Sequence, residues 1–321
     1  MLTRMRDYFG FTTLPFGRGL TPSQLFPSAS HNEAVARITY AIQTRALAVV
    51  VGEVGAGKTV AARAAVSALD GSRHHPIYLP NPTIGARGIH TAVVAALGGI
   101  PRFHHATLIP QAADALAAET EERGRIPILI IDEAHLLGHD QLEAIRMLTN
   151  SELDSASPLA CLLLGQPRLR HNMKLAVLAA LDQRVTIRYT VNPMTATETA
   201  EYLRHHTKIA GRGDTLFSDD AADLIHHTSR GYPRAVNNIA TAALIATYTS
   251  GKNIVAEPAV RTAATEHTTT DWLQHVNSDI DEFRSPLPRP DPIDLLLDEL
   301  AATTGRITRA GHDPRLARTP C

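Results

Sequence analysis

The chain has 321 residues, 44% of them hydrophobic and 20% charged, and a formal net charge of −1 at pH 7. That balance excludes a wholly disordered polymer and a generally cationic surface, so any contact with nucleic acid would need a local patch. Aromatic residues make up 5% of the chain, so its core must be built from Ala, Leu, Ile and Val. The two cysteines, Cys161 and Cys321, cannot form a disulfide framework and point to a reducing, cytoplasmic setting.

The opening MLTRMRDYFGFTTLPFGRGL has basic residues but no apolar stretch of a secretory leader behind them. The apolar runs Ala46–Val51 and Ile126–Ile131 fall far short of the ~20 residues that cross a bilayer, so no membrane insertion is expected. Residues 1–29 are expected to pack on the domain that follows. Ser30-His-Asn-Glu33 reads as a capping box opening a helix to about Thr44. Ala46–Val51 reads as a strand buried on both faces and is followed by a Gly-rich turn and a helix from Lys58 to Leu69. Further strands are expected at Pro76–Pro80, Ile126–Ile131, Leu159–Leu164 and Val185–Thr190. Helices are expected at about 83–97, 108–124, 140–150 and 168–181. Alternation of this kind implies right-handed crossovers and an α/β domain over 30–193 with a parallel five-stranded sheet.

After Pro193 the pattern turns helical. Thr195-Ala-Thr-Glu198 is a second capping box, with helices expected to about Ala210, from Ser218 to near Ser229, over Arg234–Thr249 and over about 257–266. A small helical domain over 194–270 follows from this. Residues 271–321 read as a Pro-rich linker (RSPLPRPDP) and a mostly disordered tail with one short helix at Asp291–Leu300.

Gly52-Glu53-Val54-Gly55-Ala56-Gly57-Lys58-Thr59 fits G-x-x-x-x-G-K-[ST], the loop whose backbone N–H groups cradle a polyphosphate at a helix N-terminus. Val60 continues that contact. Four lysines occur in the whole chain, and one stands at the motif's invariant position. Lys58 is expected to reach the β- and γ-phosphates and Thr59 to ligate Mg²⁺. Ile128-Leu-Ile-Ile-Asp132-Glu133 supplies a second half: an apolar strand ends in Asp132, which faces the metal, through water. Glu133 can then deprotonate the attacking water. Asp132-Glu-Ala-His135 also spells a helicase box, but the helical chain after Thr190 leaves no room for the second α/β lobe such enzymes need, and His135 reads as a polar residue lining the site. The paired histidines at 74–75, 104–105, 205–206 and 226–227 lack the spacing of a closed metal site and read as surface residues.

Taken together, these features resemble an AAA+ ATPase, and more narrowly the ExeA-type ATPases, which are similar to the ATPase helpers of bacterial transposons (TniB, TnsC and MuB). The matching stretches are Tyr8-Phe-Gly-Phe…Leu-Pro-Phe16, Pro27–Glu33, GEVGAGKT, IIDEAH, Leu148-Thr-Asn150, Leu163-Leu-Gly-Gln-Pro167, Gln183-Arg-Val185 and Gly231-Tyr-Pro-Arg-Ala-Val-Asn-Asn238, covering residue 8 to about 260. The resemblance implies that Gln166 is a polar sensor of the γ-phosphate, that Arg234 is a second sensor reaching back from the helical lid, and that Arg184 is a finger inserted into a neighbour's site, with Arg146, Arg168 and Arg170 as competitors. It implies ATP and Mg²⁺ as ligands, and a homo-oligomer, ring or filament, acting as a switch. The longer ExeA secretion proteins carry a membrane span and a cell-wall-binding domain not found here. That weighs toward a transposase helper acting on double-stranded DNA, with a secretion or envelope-assembly ATPase, or a low-turnover signalling NTPase, as alternatives. Candidate DNA-contacting loop cations are Arg87, Arg102, Arg204, Lys208 and Arg212.

Overall fold

A computed structural model describes residues 2–17, 19–150 and 157–265; the expectations for the tail, including the helix at 291–300, lie outside the described residues. Five strands, β1 (Leu47–Val51), β2 (His74–Leu79), β3 (Ile126–Ile131), β4 (Ala160–Gly165) and β5 (Val185–Thr190), form one parallel sheet in the order β2-β3-β4-β1-β5. Strands β1 and β4 are buried along their whole length, and β3 from Pro127 onward, because both faces are covered. Along β1, Leu47, Val49 and Val51 join the core on one side. Ala48 and Val50 join the core on the other, as the two-residue period of a strand requires.

One face carries α2 (Ala29–Gln43) and α3 (Lys58–Ser67), rich in small residues that let the helices approach the sheet closely. The other carries α4 (Gly85–Ala96), α5 (His105–Glu121), α6 (His139–Leu148), α7 (Pro167–Met173) and α8 (Ala179–Arg184). The expected single helix at 168–181 is thus two helices joined by a 3-10 turn at Ala176–Leu178. Leu169 and Met173 point to the core, and so do Leu178 and Leu181. The five-residue step from Met173 to Leu178 would rotate a continuous helix about 140° off that face, so the chain breaks to bury both pairs.

A second correction concerns the start of α2. Its N-cap is Ser28, whose Oγ accepts the His31 N–H. Ser30 Oγ instead accepts the Asn192 N–H at 2.8 Å and shares a hydrogen bond with Tyr189 Oη, tying the helix to the end of β5. Thr195 caps α9 (Ala196–Ile209) in the expected box with Glu198, and Ser218 caps α10 (Asp219–Ser229). The helical region is completed by α11 (Pro233–Thr249) and residues 257–265, with one isolated bridge, Phe217–Val255.

The N-terminal segment does not simply pack on the α/β domain. Met5 and Phe9 of α1 (Leu2–Phe9), together with Phe11, lie in one buried cluster with Tyr202, Ile225, Ile239 and Leu244 of the lid helices. Thr12 donates both its N–H and its hydroxyl to the Ala210 carbonyl. Short helices enclose too little apolar volume alone, so the aromatic N-terminus completes their core. Among the described residues no helix is long and apolar enough to cross a membrane.

Candidate functional site

The loop between β1 and α3 turns on two glycines with positive φ, Gly55 at 80° and Gly57 at 97°. Gly57, the N-cap of α3, frees the first N–H groups of that helix to point into the turn. Gly55 has a further reason to lack a side chain: a Cβ there would lie 2.7 Å from Cβ of Arg234. The lid residue therefore rests directly on the loop, and its N–H donates to the Gly55 carbonyl. Gly231, two residues before Pro233, is equally constrained, since a Cβ would come within 2.1 Å of the Met194 carbonyl oxygen. Only glycine lets this turn deliver Arg234 to the loop.

Lys58 is buried, with Nζ donating to the carbonyls of Gly52 (2.8 Å) and Glu53 (3.0 Å). Burial pulls its pKa below the ordinary value, against the opposing pull of Glu133, Asp132 and Glu53. Thr59 Oγ1 donates to Asp132 Oδ2 at 2.7 Å. The end of β3 thus meets the start of α3 through the two side chains expected to share a cation. The fit is chemical as well as spatial: a hydroxyl and a buried carboxylate are the hard oxygen donors that Mg²⁺ takes. Backbone N–H groups and an ammonium stand beside them for phosphate.

Glu133 sits one residue on, its backbone in the left-handed region at φ 50°, an unfavourable conformation for a residue with a Cβ. Its N–H donates to Asp132 Oδ1 at 2.9 Å, which holds the two carboxylates apart and leaves the Glu133 side chain half-exposed at the mouth. His135 Nδ1 lies 3.4 Å from Glu133 Oε2 and accepts the Gln166 N–H at 3.4 Å. Desolvation lowers the pKa of this imidazole, against the opposing pull of Glu133. His135 thus links the end of β3 to Gln166, which follows β4 and is the N-cap of α7.

Gly52–Thr59, Val60, Asp132, Glu133, Gln166 and Arg234 thus gather at one end of the sheet. Arg184 does not. It precedes β5, and the parallel register pairs Val185 with Leu47 and Thr190 with Val51, so Arg184 stands at the opposite end of β1 from the loop, about 17 Å away along the strand. Its guanidinium donates to Asn150 Oδ1 and the Thr149 carbonyl. Of the other arginines, Arg146 pairs with Glu143, Arg170 lies in the last turn of α7, and Arg168 sits close enough to His135 to depress its pKa. The five candidate DNA cations do not all lie in loops: Arg87 is on α4, Arg204 and Lys208 are one turn apart on α9, and Arg212 is paired with Asp214.

Two residues escaped the sequence reading. Tyr78, on β2, donates its hydroxyl to Asp132 Oδ2 at 3.1 Å; burial, then Asp132, push its pKa up to about 12. No motif marks it. His206 is the second, and the surface role expected for the paired histidines fails there. It is 2% exposed, its ring packed against that of Tyr202 with centroids 4.2 Å apart and planes tilted by 50°, and it lines a cleft of about 630 Å³ running from the loop to Phe16, Phe26 and the lid. Neither ring nitrogen has a hydrogen-bonded partner, the nearby Pro15 carbonyl lying outside bonding geometry. The signal was available in the apolar spacing of α9, since Tyr202, Leu203 and His206 share its buried face. His75 likewise enters a buried ion cluster.

Burial drives His206 down to about 4. Since the unfolded chain binds this proton near pH 6.5 and the folded chain does not, acid favours unfolding. Stability is full above pH 6.5 and falls as pH drops toward 4, by up to about 3 kcal/mol from this group. Thermal unfolding from pH 7 to 5 should show a smaller loss in His206→Phe than in the parent; equal slopes would remove His206 as the cause.

Residues 41–173 match the sequence profile of the AAA domain. Over 264 residues the chain is 31% identical to general secretion pathway protein A of Aeromonas hydrophila, a match covering 81% of this chain and 48% of that protein. The chain thus spans about half the length of that relative. Among solved structures it is similar to Cdc6p of Pyrobaculum aerophilum, with a TM-score of 0.63 at 19% identity over 78% of this chain and 70% of that one. It is also similar to the ORC2 protein of Aeropyrum pernix, with a TM-score of 0.61 at 17% identity over 80% and 72%. At these identities the structural likeness is one of fold.

Proposed function

We propose that this chain, an AAA-domain protein homologous to general secretion pathway protein A, is an ATP-hydrolysing switch that serves a secretion or envelope-assembly system. The observation that carries the catalytic part is the 2.7 Å contact between Thr59 and Asp132, with Lys58 behind it and Glu133 at the mouth. Lys58 neutralises phosphate charge, and Thr59 and Asp132 hold Mg²⁺, which when bound offsets the negative charge of the polyphosphate. Glu133 accepts the proton of the attacking water, its backbone held by the N–H bond to Asp132. Gln166 and Arg234 sense the phosphates from β4 and from the lid. The cleft's aromatic end, with His206 unpartnered, takes the base.

The expected transposase-helper role loses its ground. It rested on the missing membrane and cell-wall-binding parts of the longer proteins, and a chain spanning half of such a relative says nothing about them. Disrupting the gene should impair export or envelope assembly and leave transposition frequency unchanged; the reverse pattern would overturn the secretion reading.

Arg184 is too far along β1 to serve its own loop, which supports a role across a subunit boundary. Turnover should rise with protein concentration. Mixing Arg184→Ala with Lys58→Ala subunits should restore part of the phosphate release, because one interface type then combines an intact loop with an intact arginine. Absence of rescue in co-assembled mixtures would rule out a finger at this position.

A further inference from the structure

The α4–α5 hairpin carries the most exposed large apolar side chains of the described residues: Ile100 is 88% and Phe103 79% exposed. The tip is held in place. The Arg102 N–H donates to Gln111 Oε1, Gln111 Nε2 donates to the Ile100 carbonyl, and the Arg87 guanidinium lies 5.2 Å over the Phe103 ring. Ile84, also exposed, precedes Arg87 by one turn on the same side of α4 and sits against Gly88, where a Cβ would clash with it at 2.5 Å. A fixed apolar tip flanked by two exposed arginines therefore projects from the domain at no evident gain to folding.

Its electrostatic setting is equally unusual. Residues 71–113, which take in all of α4, the tip and the first half of α5, contain no Asp or Glu, where this chain's average composition would put about four. A locally cationic apolar surface in a chain of net charge −1 calls for an acidic partner. Nucleic acid fits poorly: two arginines neutralise few phosphates, Arg87 already covers one face of Phe103, and the remaining anchors are aliphatic. A second copy in a two-fold arrangement would set Arg87 and Arg102 against themselves.

We propose that this tip docks a protein partner through an acidic amphipathic segment, with apolar side chains seated on Ile100, Phe103 and Ile84 and carboxylates facing Arg87 and Arg102. The surface lies outside the nucleotide cleft, so the inference stands apart from the catalytic reading.

Three labelled probes test it by anisotropy on the full chain: a helical peptide with leucines at i, i+3, i+4 and i+7 and Glu between them, the same peptide with Gln for Glu, and a 30-base-pair DNA duplex. The acidic peptide should bind at least tenfold more tightly than the other two, and more weakly at high salt. Ile100→Ser with Phe103→Ser should cost at least tenfold, while Arg87→Gln with Arg102→Gln should abolish the preference for Glu over Gln. Thermal unfolding and phosphate release, measured on the same proteins, should stay at parental values. No binding up to 1 mM, tighter binding of DNA, indifference to the substitutions, or loss of self-association in the apolar variant would each overturn the proposal.

Discussion

Lys58→Ala should lower ATP affinity by about 100-fold or more, while Glu133→Gln should bind ATP like the parent and lose about 10²–10⁴ in turnover. The asymmetry follows from position. Lys58 is buried at the base of the loop, with its ammonium already hydrogen-bonded to the carbonyls of Gly52 and Glu53. It can swing onto ground-state phosphates over a short path, so its loss removes binding as well as chemistry. Glu133 holds no such contact with the loop. Its N–H is committed to Asp132 and its side chain reaches outward past His135. Replacing the carboxylate by an amide keeps shape and hydrogen bonding but removes the base, and only the step that moves a proton should feel it. Nucleotide titration with phosphate release separates the two effects. Parental turnover in Glu133→Gln would strip that residue of its role, and parental ATP affinity in Lys58→Ala would move the phosphate site off the loop.

Much of this site could be read from the sequence because it is built from local chain geometry. A strand ending at Val51, a turn that only glycines at 55 and 57 can make, and a helix starting at Lys58 are one continuous segment. The same holds for β3 and Asp132, and β5 falls where expected. What escaped depends on contacts between distant segments. Tyr78 meets Asp132 across 54 residues, and nothing in its own strand marks it out. Ser30 looked like a helix cap because spacing cannot show that its hydroxyl would be taken by Asn192 and Tyr189. The N-terminal aromatics could have covered either domain; only the small core of the lid decides that Met5, Phe9 and Phe11 go there.

The ion cluster around Glu119 belongs to this second class, and its disruption should have the largest effect on stability. Glu119, on α5, has a side chain with no exposed surface, yet it accepts hydrogen bonds or ion pairs from His75 Nδ1 at 2.8 Å, Arg123 at 2.8 Å and Arg125 at 2.7 Å. Burial alone would raise its pKa; the bonds from Arg123 and His75 and the Arg125 charge overcome that and hold it below the ordinary carboxylate range. His75 lies on β2, and the Arg125 N–H donates to the Glu119 carbonyl just before β3 begins. One carboxylate thus fastens the end of α5 to the edge of the sheet. Glu119→Ala would leave Arg125, whose Nε already lacks a partner, as an uncompensated charge. Breaking a fully buried pair costs about 3–5 kcal/mol; with 33% of the Arg125 and 48% of the Arg123 side chain in solvent, the cost here is about 2–3 kcal/mol. For a unit of this size that lowers the melting temperature by on the order of 10 °C. Because the folded-state pKa is depressed, the parent keeps this stabilisation above the unfolded-state value and loses it as pH falls through the folded one. The gap between Glu119→Ala and parent should therefore be full at pH 7 and narrow in acid. A gap below about 1 kcal/mol at pH 7 would mean that water screens the cluster and that the packing of α5, through Leu108, Ala112 and Leu116, holds the helix without it.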